Sequence, residues 1–232
     1  MYIPVSRNFI SEHKLTTNLH LTIADLLLQN IPRDLILGVE DALITGSKRG
    51  TNAGAGMNLG HRSHAVGQMR HFHMNETFRD ALAAANTNPT QIKGNRVVIG
   101  KAGIFSLGRF NISNGMWNNG RRSRTRREMA LANLSIEPLV LPDLFETYKP
   151  TSLATVFFVG VFDRSVQDTM ATPMSIDIAV PDHELKGWLF RMSTTNFLAL
   201  YEAQTADDIQ PDLAIPSLKT GIGIAKDLKS GT

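Results

Sequence analysis

The amino-acid sequence predicts an α+β fold, with an N-terminal helical pair followed by a mostly antiparallel sheet and a few helices. Three observations carry this expectation. Apolar residues recur at helical spacing up to Thr45, the period shortens toward two from Asn95 onward, and the later apolar runs have strand length with turn-forming residues between them.

The first helix is expected in "LHLTIADLLLQN", capped by Thr16 or Thr17, and its apolar residues cover more than one face, so it should be largely buried. Pro32 suits the first position of a second helix, "PRDLILGVEDALITG", where Leu35, Ile36, Val39, Ala42 and Leu43 form one stripe and Gly46 is the expected stop. The next stretch, "GSKRGTNAGAGMNLG", holds five glycines and reads as a flexible loop over residues 46–60 that a ligand would order. Asn75 is the expected cap of a short helix through "ETFRDALAAAN". "NRVVIG" and "GIFSLGRFNIS" read as strands, "NGMWNNG" as a loop, and "SRTRREMALANL" as a helix capped by Ser123. "IEPLVL", "ATVFFVGVF", "MSIDIAV" and "GWLFRM" read as further strands, and "TTNFLALYEAQ" as a helix burying Phe197, Leu198 and Tyr201. One domain is expected over residues 1–205, with an extended tail over 206–232 and no internal repeat.

With 232 residues and 42% hydrophobic content, the chain can bury a real core. It has no cysteine, which excludes disulfides, thiol nucleophiles and cysteine-ligated zinc. The stretch "MYIPVSRNFISEHK" lacks a secretory apolar run, and no run is long enough to span a bilayer. A cytoplasmic protein without a membrane partner is the resulting expectation.

The net charge of +3 conceals a strong asymmetry. Residues 1–45 carry −2, residues 46–127 carry +12 with only Glu76 and Asp80 as acids, and residues 128–232 carry −7. The densest segment, "RRSRTRR", places Arg121, Arg122, Arg124, Arg126 and Arg127 in seven positions. A helix that neutralised these charges locally would show acids three or four residues away, and only Glu128 qualifies. Lys48, Arg49, Arg62 and Arg70 add to the same sign, nearby asparagines can bond phosphates or base edges, and Trp117 offers a stacking surface or a core anchor. The band therefore predicts DNA or RNA as partner, against two alternatives: a solvated face, or pairing with the acidic half of a neighbouring copy. The glycine-rich stretch lacks the terminal Gly-Lys-Ser/Thr of a nucleotide-hydrolase phosphate loop.

Two segments offer chemistry. "HRSHAVGQMRHFHMNE" contains four of the seven histidines. His71 and His73 share a face if the segment is extended, and with an arginine nearby they suit metal-free phosphodiester cleavage, one histidine as base and one as acid. The same histidines also suit simple phosphate contacts or a metal site. In "SIDIAVPDHELKGW", Asp177, Asp182, Glu184 and Lys186 resemble, loosely, the acid–acid–x–lysine pattern of restriction-type nucleases. That resemblance implies a magnesium ion held by Asp182 and Glu184, with Glu184 and Lys186 at the attacking water. Pro181 and Gly187 make "VPDHELKG" look more like a hairpin loop between two strands, a charged surface turn, and Asp143 is a more distant candidate partner. The leading expectation is a nucleic-acid-binding protein that cleaves or processes its ligand. The competing one is a non-enzymatic subunit that coats or packages nucleic acid and associates head to tail.

Overall fold

The computed structural model describes residues 21–114, 120–140, 153–163 and 171–208; Thr16, Thr17, Trp117, Asp143 and the tail beyond Asp208 lie outside these ranges. Helix α1 (Ile23–Asn30) is capped by Thr22 in a reciprocal box, in which Asp25 N donates to Thr22 Oγ1 at 3.1 Å and Thr22 N donates to Asp25 Oδ2 at 2.9 Å. Helix α2 (Arg33–Ala55) follows Pro32, whose missing N–H costs nothing at a helix start. Helix α3 (Leu59–Ala84) is capped by Asn58, so Asn75 lies inside a helix rather than at its start.

The expected glycine loop is therefore helix. Gly46, Gly50 and Gly54 recur every four residues, which places them on one stripe of α2. A Cβ on Gly50 would lie 2.3 Å from Arg70 Cα, one on Gly46 2.7 Å from Met74 Cα, and one on Gly54 2.7 Å from Val66 Cα. The missing side chains let the two helix backbones nearly touch, and the packing repays the helical cost of glycine.

Strands β1 (Gly100–Ala102), β2 (Phe105–Ser113), β3 (Ala154–Phe162), β4 (Ser175–Pro181) and β5 (Trp188–Ser193) form one sheet in sequential order. Every neighbouring pair is antiparallel except β2 and β3. A parallel pair needs a crossover, and its described part consists of α4 (Arg124–Ala130) with 3-10 turns at Gly120–Arg122, Leu131–Ser135 and Glu137–Leu139. The expected strand "IEPLVL" is the last of these turns, because Pro138 suits a helical start and cannot donate to a ladder. Of "NRVVIG" only Gly100 joins the sheet. Helix α5 (Thr194–Asp208) follows β5 directly and buries Phe197 and Leu198, while Tyr201 OH donates to Ile31 O.

Strand alternation sorts the core into two faces. Phe105, Leu107, Val156 and Phe158 pack beneath the helices α1, α2, α3 and α5. Phe110, Ile112, Phe157 and Val159 pack toward α4 through Met129 and Ala130. Buried Asn133 ties the crossover to the sheet: its Nδ2 donates to Pro181 O at 2.7 Å and to Thr155 O at 3.1 Å, and its Oδ1 accepts from Thr155 N at 2.6 Å. Among the described residues no helix is long and apolar enough to cross a membrane.

Candidate functional site

The arginine-rich helix forms as its sequence suggests, with Ser123 Oγ accepting from Arg126 N at 3.4 Å. Its arginines then diverge. Arg121, Arg122, Arg124 and Arg127 are exposed, whereas Arg126 turns inward, its guanidinium carbon 4.8 Å from the centre of the Phe110 ring. Arg124 pairs with Glu128 at 2.7 Å, an exposed pair of small energetic weight.

Folding brings this cluster to the hairpin turn between β4 and β5. Arg121, Arg124, Arg127, His183, Glu184 and Lys186 border one open depression of about 340 Å³. The turn that presents the last three is rigid for visible reasons. Asp182 accepts from Lys186 N at 2.8 Å and from Gly187 N at 2.7 Å. Leu185, fully buried, holds the left-handed backbone at φ 55°. His183 Nδ1 lies 2.6 Å from Glu137 Oε1, which also accepts from His183 N at 2.8 Å. That hydrogen bond raises the His183 pKa above its ordinary value, against some desolvation. Lys186 Nζ pairs with Glu184, and this bond, with the lysine's charge, lowers the Glu184 pKa.

The nuclease-like pattern is thus mostly committed elsewhere. Asp182 caps the turn, Glu184 holds Lys186, and Asp177 on β4 pairs with Arg191 at 2.7 Å. Among the described residues no group of three or more His, Asp or Glu side chains is placed to hold a metal ion.

The second basic cluster is interior. Arg70, expected at the nucleic-acid surface, is 3% exposed: Nη2 donates to Thr51 Oγ1 at 3.0 Å and the guanidinium carbon stands 4.5 Å from the Phe162 ring centre. Arg109, also 3% exposed, donates from Nε to Asn75 Oδ1 at 2.9 Å and from Nη2 to His71 O at 3.2 Å. His71 and His73 do not share a face, because α3 is helical and rotates them roughly 200° apart. His73 Nδ1 lies 3.2 Å from Glu76. Both nitrogens of His71 meet donors, Asn75 Nδ2 at 3.2 Å and Arg109 Nη2 at 3.3 Å. Burial, reinforced by Arg109 and Arg126, lowers the His71 pKa to about 4. A histidine held neutral contributes stability that is complete above pH 6.5 and is lost as pH falls toward 4, since the unfolded chain binds the proton first. The melting temperature is accordingly expected to drop across that window, and His71→Gln should flatten the drop in scans at stepped pH.

The remaining expected contacts are scattered. Lys48 and Arg49 are exposed on α2, where Arg49 shares a depression with Asp34, Asp41 and Asp80, and Arg62 Nε donates to Met57 O at 3.4 Å in a long bond. Sequence reasoning missed Arg109, Glu137 and His183. For Arg109 a signal existed, because in "FSLGRFNIS" it occupies the same strand face as Phe105 and Leu107. The fold and these clusters define an α+β protein with an exposed cationic face and an interior arginine group. No protein-family model, curated protein or solved structure matches the chain.

Proposed function

We propose that the chain binds DNA or RNA through the exposed face formed by α4 and the β4–β5 turn, in the cytoplasm. The observation that carries this reading is the convergence of Arg121, Arg124, Arg127 and Lys186 on one open depression, with Arg122 exposed beside them. Exposed, closely spaced guanidiniums suit a repeating phosphate backbone better than they suit one another. Gel-shift and anisotropy titrations with labelled single- and double-stranded DNA and RNA test the reading, and absence of binding at low salt would refute it.

Cleavage of the bound strand is a second reading, favoured by one arrangement. His183, oriented by Glu137 as a general base would be, borders the depression beside Arg121 and Lys186. If the protein cuts, turnover should persist in EDTA and disappear in His183→Ala while binding remains. Cooperative binding without turnover would favour an assembly subunit that coats its nucleic acid.

The same histidine makes binding pH-dependent. With its pKa raised, His183 is cationic below its ordinary titration range and loses the charge as pH rises through the folded value, leaving Glu137 unbalanced. Affinity measured at constant ionic strength is expected to weaken a few-fold from pH 6 to pH 8.5. His183→Gln should remove most of that dependence.

A further inference from the structure

We infer that the face formed by α4 and the β4–β5 turn cuts unpaired RNA by transphosphorylation, with His183 as the base that draws the proton from the ribose 2′-hydroxyl. The inference rests on the reading that this face binds nucleic acid, and it names the substrate which that reading leaves open.

The turn holds the base in a fixed pose. Glu137 Oε1 accepts twice from His183, from the backbone N at 2.8 Å and from Nδ1 at 2.6 Å. A carboxylate at Nδ1 keeps a proton on that nitrogen, so in the neutral ring Nε2 is the acceptor. Among the described residues no other hydrogen bond engages the ring. The side chain is 35% exposed and borders the depression. Cations stand beside it. Lys186, three residues on in the same turn, pairs with Glu184 through one of its three N–H donors, which leaves two for a ligand. Arg121 reaches in from the 3-10 turn before α4, near enough for its charge to help lower the Glu184 pKa.

This set of groups selects the nucleophile. One imidazole in an open depression has little hold on an attacking water. A ribose 2′-hydroxyl is instead held by the substrate, next to the phosphorus it attacks, so covalent structure meets most of the entropic cost. An unpaired strand also lets the 2′-oxygen swing in line with the leaving 5′-oxygen. His183 Nε2 takes the 2′-hydroxyl proton as the 2′-oxygen forms its bond to phosphorus. The bond from phosphorus to the 5′-oxygen breaks, and the Lys186 ammonium gives that oxygen its proton. Arg121 balances the charge that builds on the non-bridging oxygens. The products are a 2′,3′-cyclic phosphate and a 5′-hydroxyl end. No water is consumed, and proton exchange with solvent returns His183 and Lys186 to their starting forms. DNA lacks the nucleophile and is bound without being cut.

The test uses the full chain with a labelled single-stranded oligoribonucleotide, a copy carrying one 2′-deoxy residue, and an all-deoxy copy. RNA should be cut to cyclic-phosphate ends, the single deoxy position should be spared, and the all-deoxy strand should stay intact while bound. His183→Ala should slow cleavage about 10²-fold with binding retained. Glu137 is a positioning residue, and its role is read from the pH profile at saturating RNA. Its hydrogen bond, with the charges of Glu137, Glu184 and Asp182, raises the His183 pKa against some desolvation. The rate should therefore rise with pH above the ordinary histidine range, and Glu137→Gln should move that rise to lower pH. RNA bound but uncut, cleavage at the deoxy position, or full activity in His183→Ala overturns the inference and leaves nucleic-acid binding standing. Should His183→Ala fail to fold, the deoxy position still decides with the native protein. Failure to bind any of the strands overturns the underlying reading as well.

Discussion

Gly50→Ala is expected to lower the unfolding free energy by about 2–3 kcal/mol, measured by denaturant titration. The added Cβ would sit 2.3 Å from Arg70 Cα, 2.4 Å from Arg70 N and 2.7 Å from Met69 C. These are backbone atoms, so no side chain can swing aside and the helices must separate. Separation would also loosen the contacts at Gly46 and Gly54, which use the same stripe. Alanine's better helix propensity, about 1 kcal/mol, offsets only part of the loss. Gly38→Ala on the same helix has nothing within 4 Å of the new Cβ and should instead stabilise by about 0.5–1 kcal/mol. Equal stability of Gly50→Ala and wild type would mean that α2 and α3 do not approach this closely.

Replacing Arg121, Arg122, Arg124 and Arg127 together with glutamine is expected to remove most nucleic-acid binding. If these four neutralise four phosphates, the wild-type log–log salt slope on duplex DNA should be roughly −3.6, and affinity should fall about 10²-fold between 50 and 200 mM salt. The quadruple variant should approach zero slope, with each single substitution reducing it by about 0.9. Arg126 is left out because it faces the interior, and Arg49→Gln should change little because Asp34, Asp41 and Asp80 border the same depression. Circular dichroism and melting curves should match wild type, since the substituted side chains are exposed. An unchanged slope in the folded quadruple variant would move the interface elsewhere and return α4 to a solvated face.

Much of the chain's local organisation was legible in its residues. Pro32 before α2, Ser123 before α4, the apolar run of β4 and the turn chemistry of "VPDHELKG" each depend on groups within a few positions of one another. The same holds for the +12 central band, which is a sum over residue types. Glycine spacing was the misleading feature. Gly46, Gly50 and Gly54 look like chain flexibility when counted, and like a packing stripe only when their four-residue period is set against the α3 backbone.

By itself the sequence determined the α+β class, the Ser123 cap, most strands and the concentration of positive charge, because these follow from local backbone preferences and composition. Only the tertiary structure decided which charges face water. It turned Arg70, Arg109 and Arg126 inward, brought Arg121, Arg124 and Arg127 to His183 and Lys186, and set His71 and His73 on different sides of one helix. The physical reason is that a side chain's environment comes from elements distant in the chain. The aromatic rings of Phe110 and Phe162 and the close approach permitted by Gly50 select the buried cations, and no local pattern records those encounters.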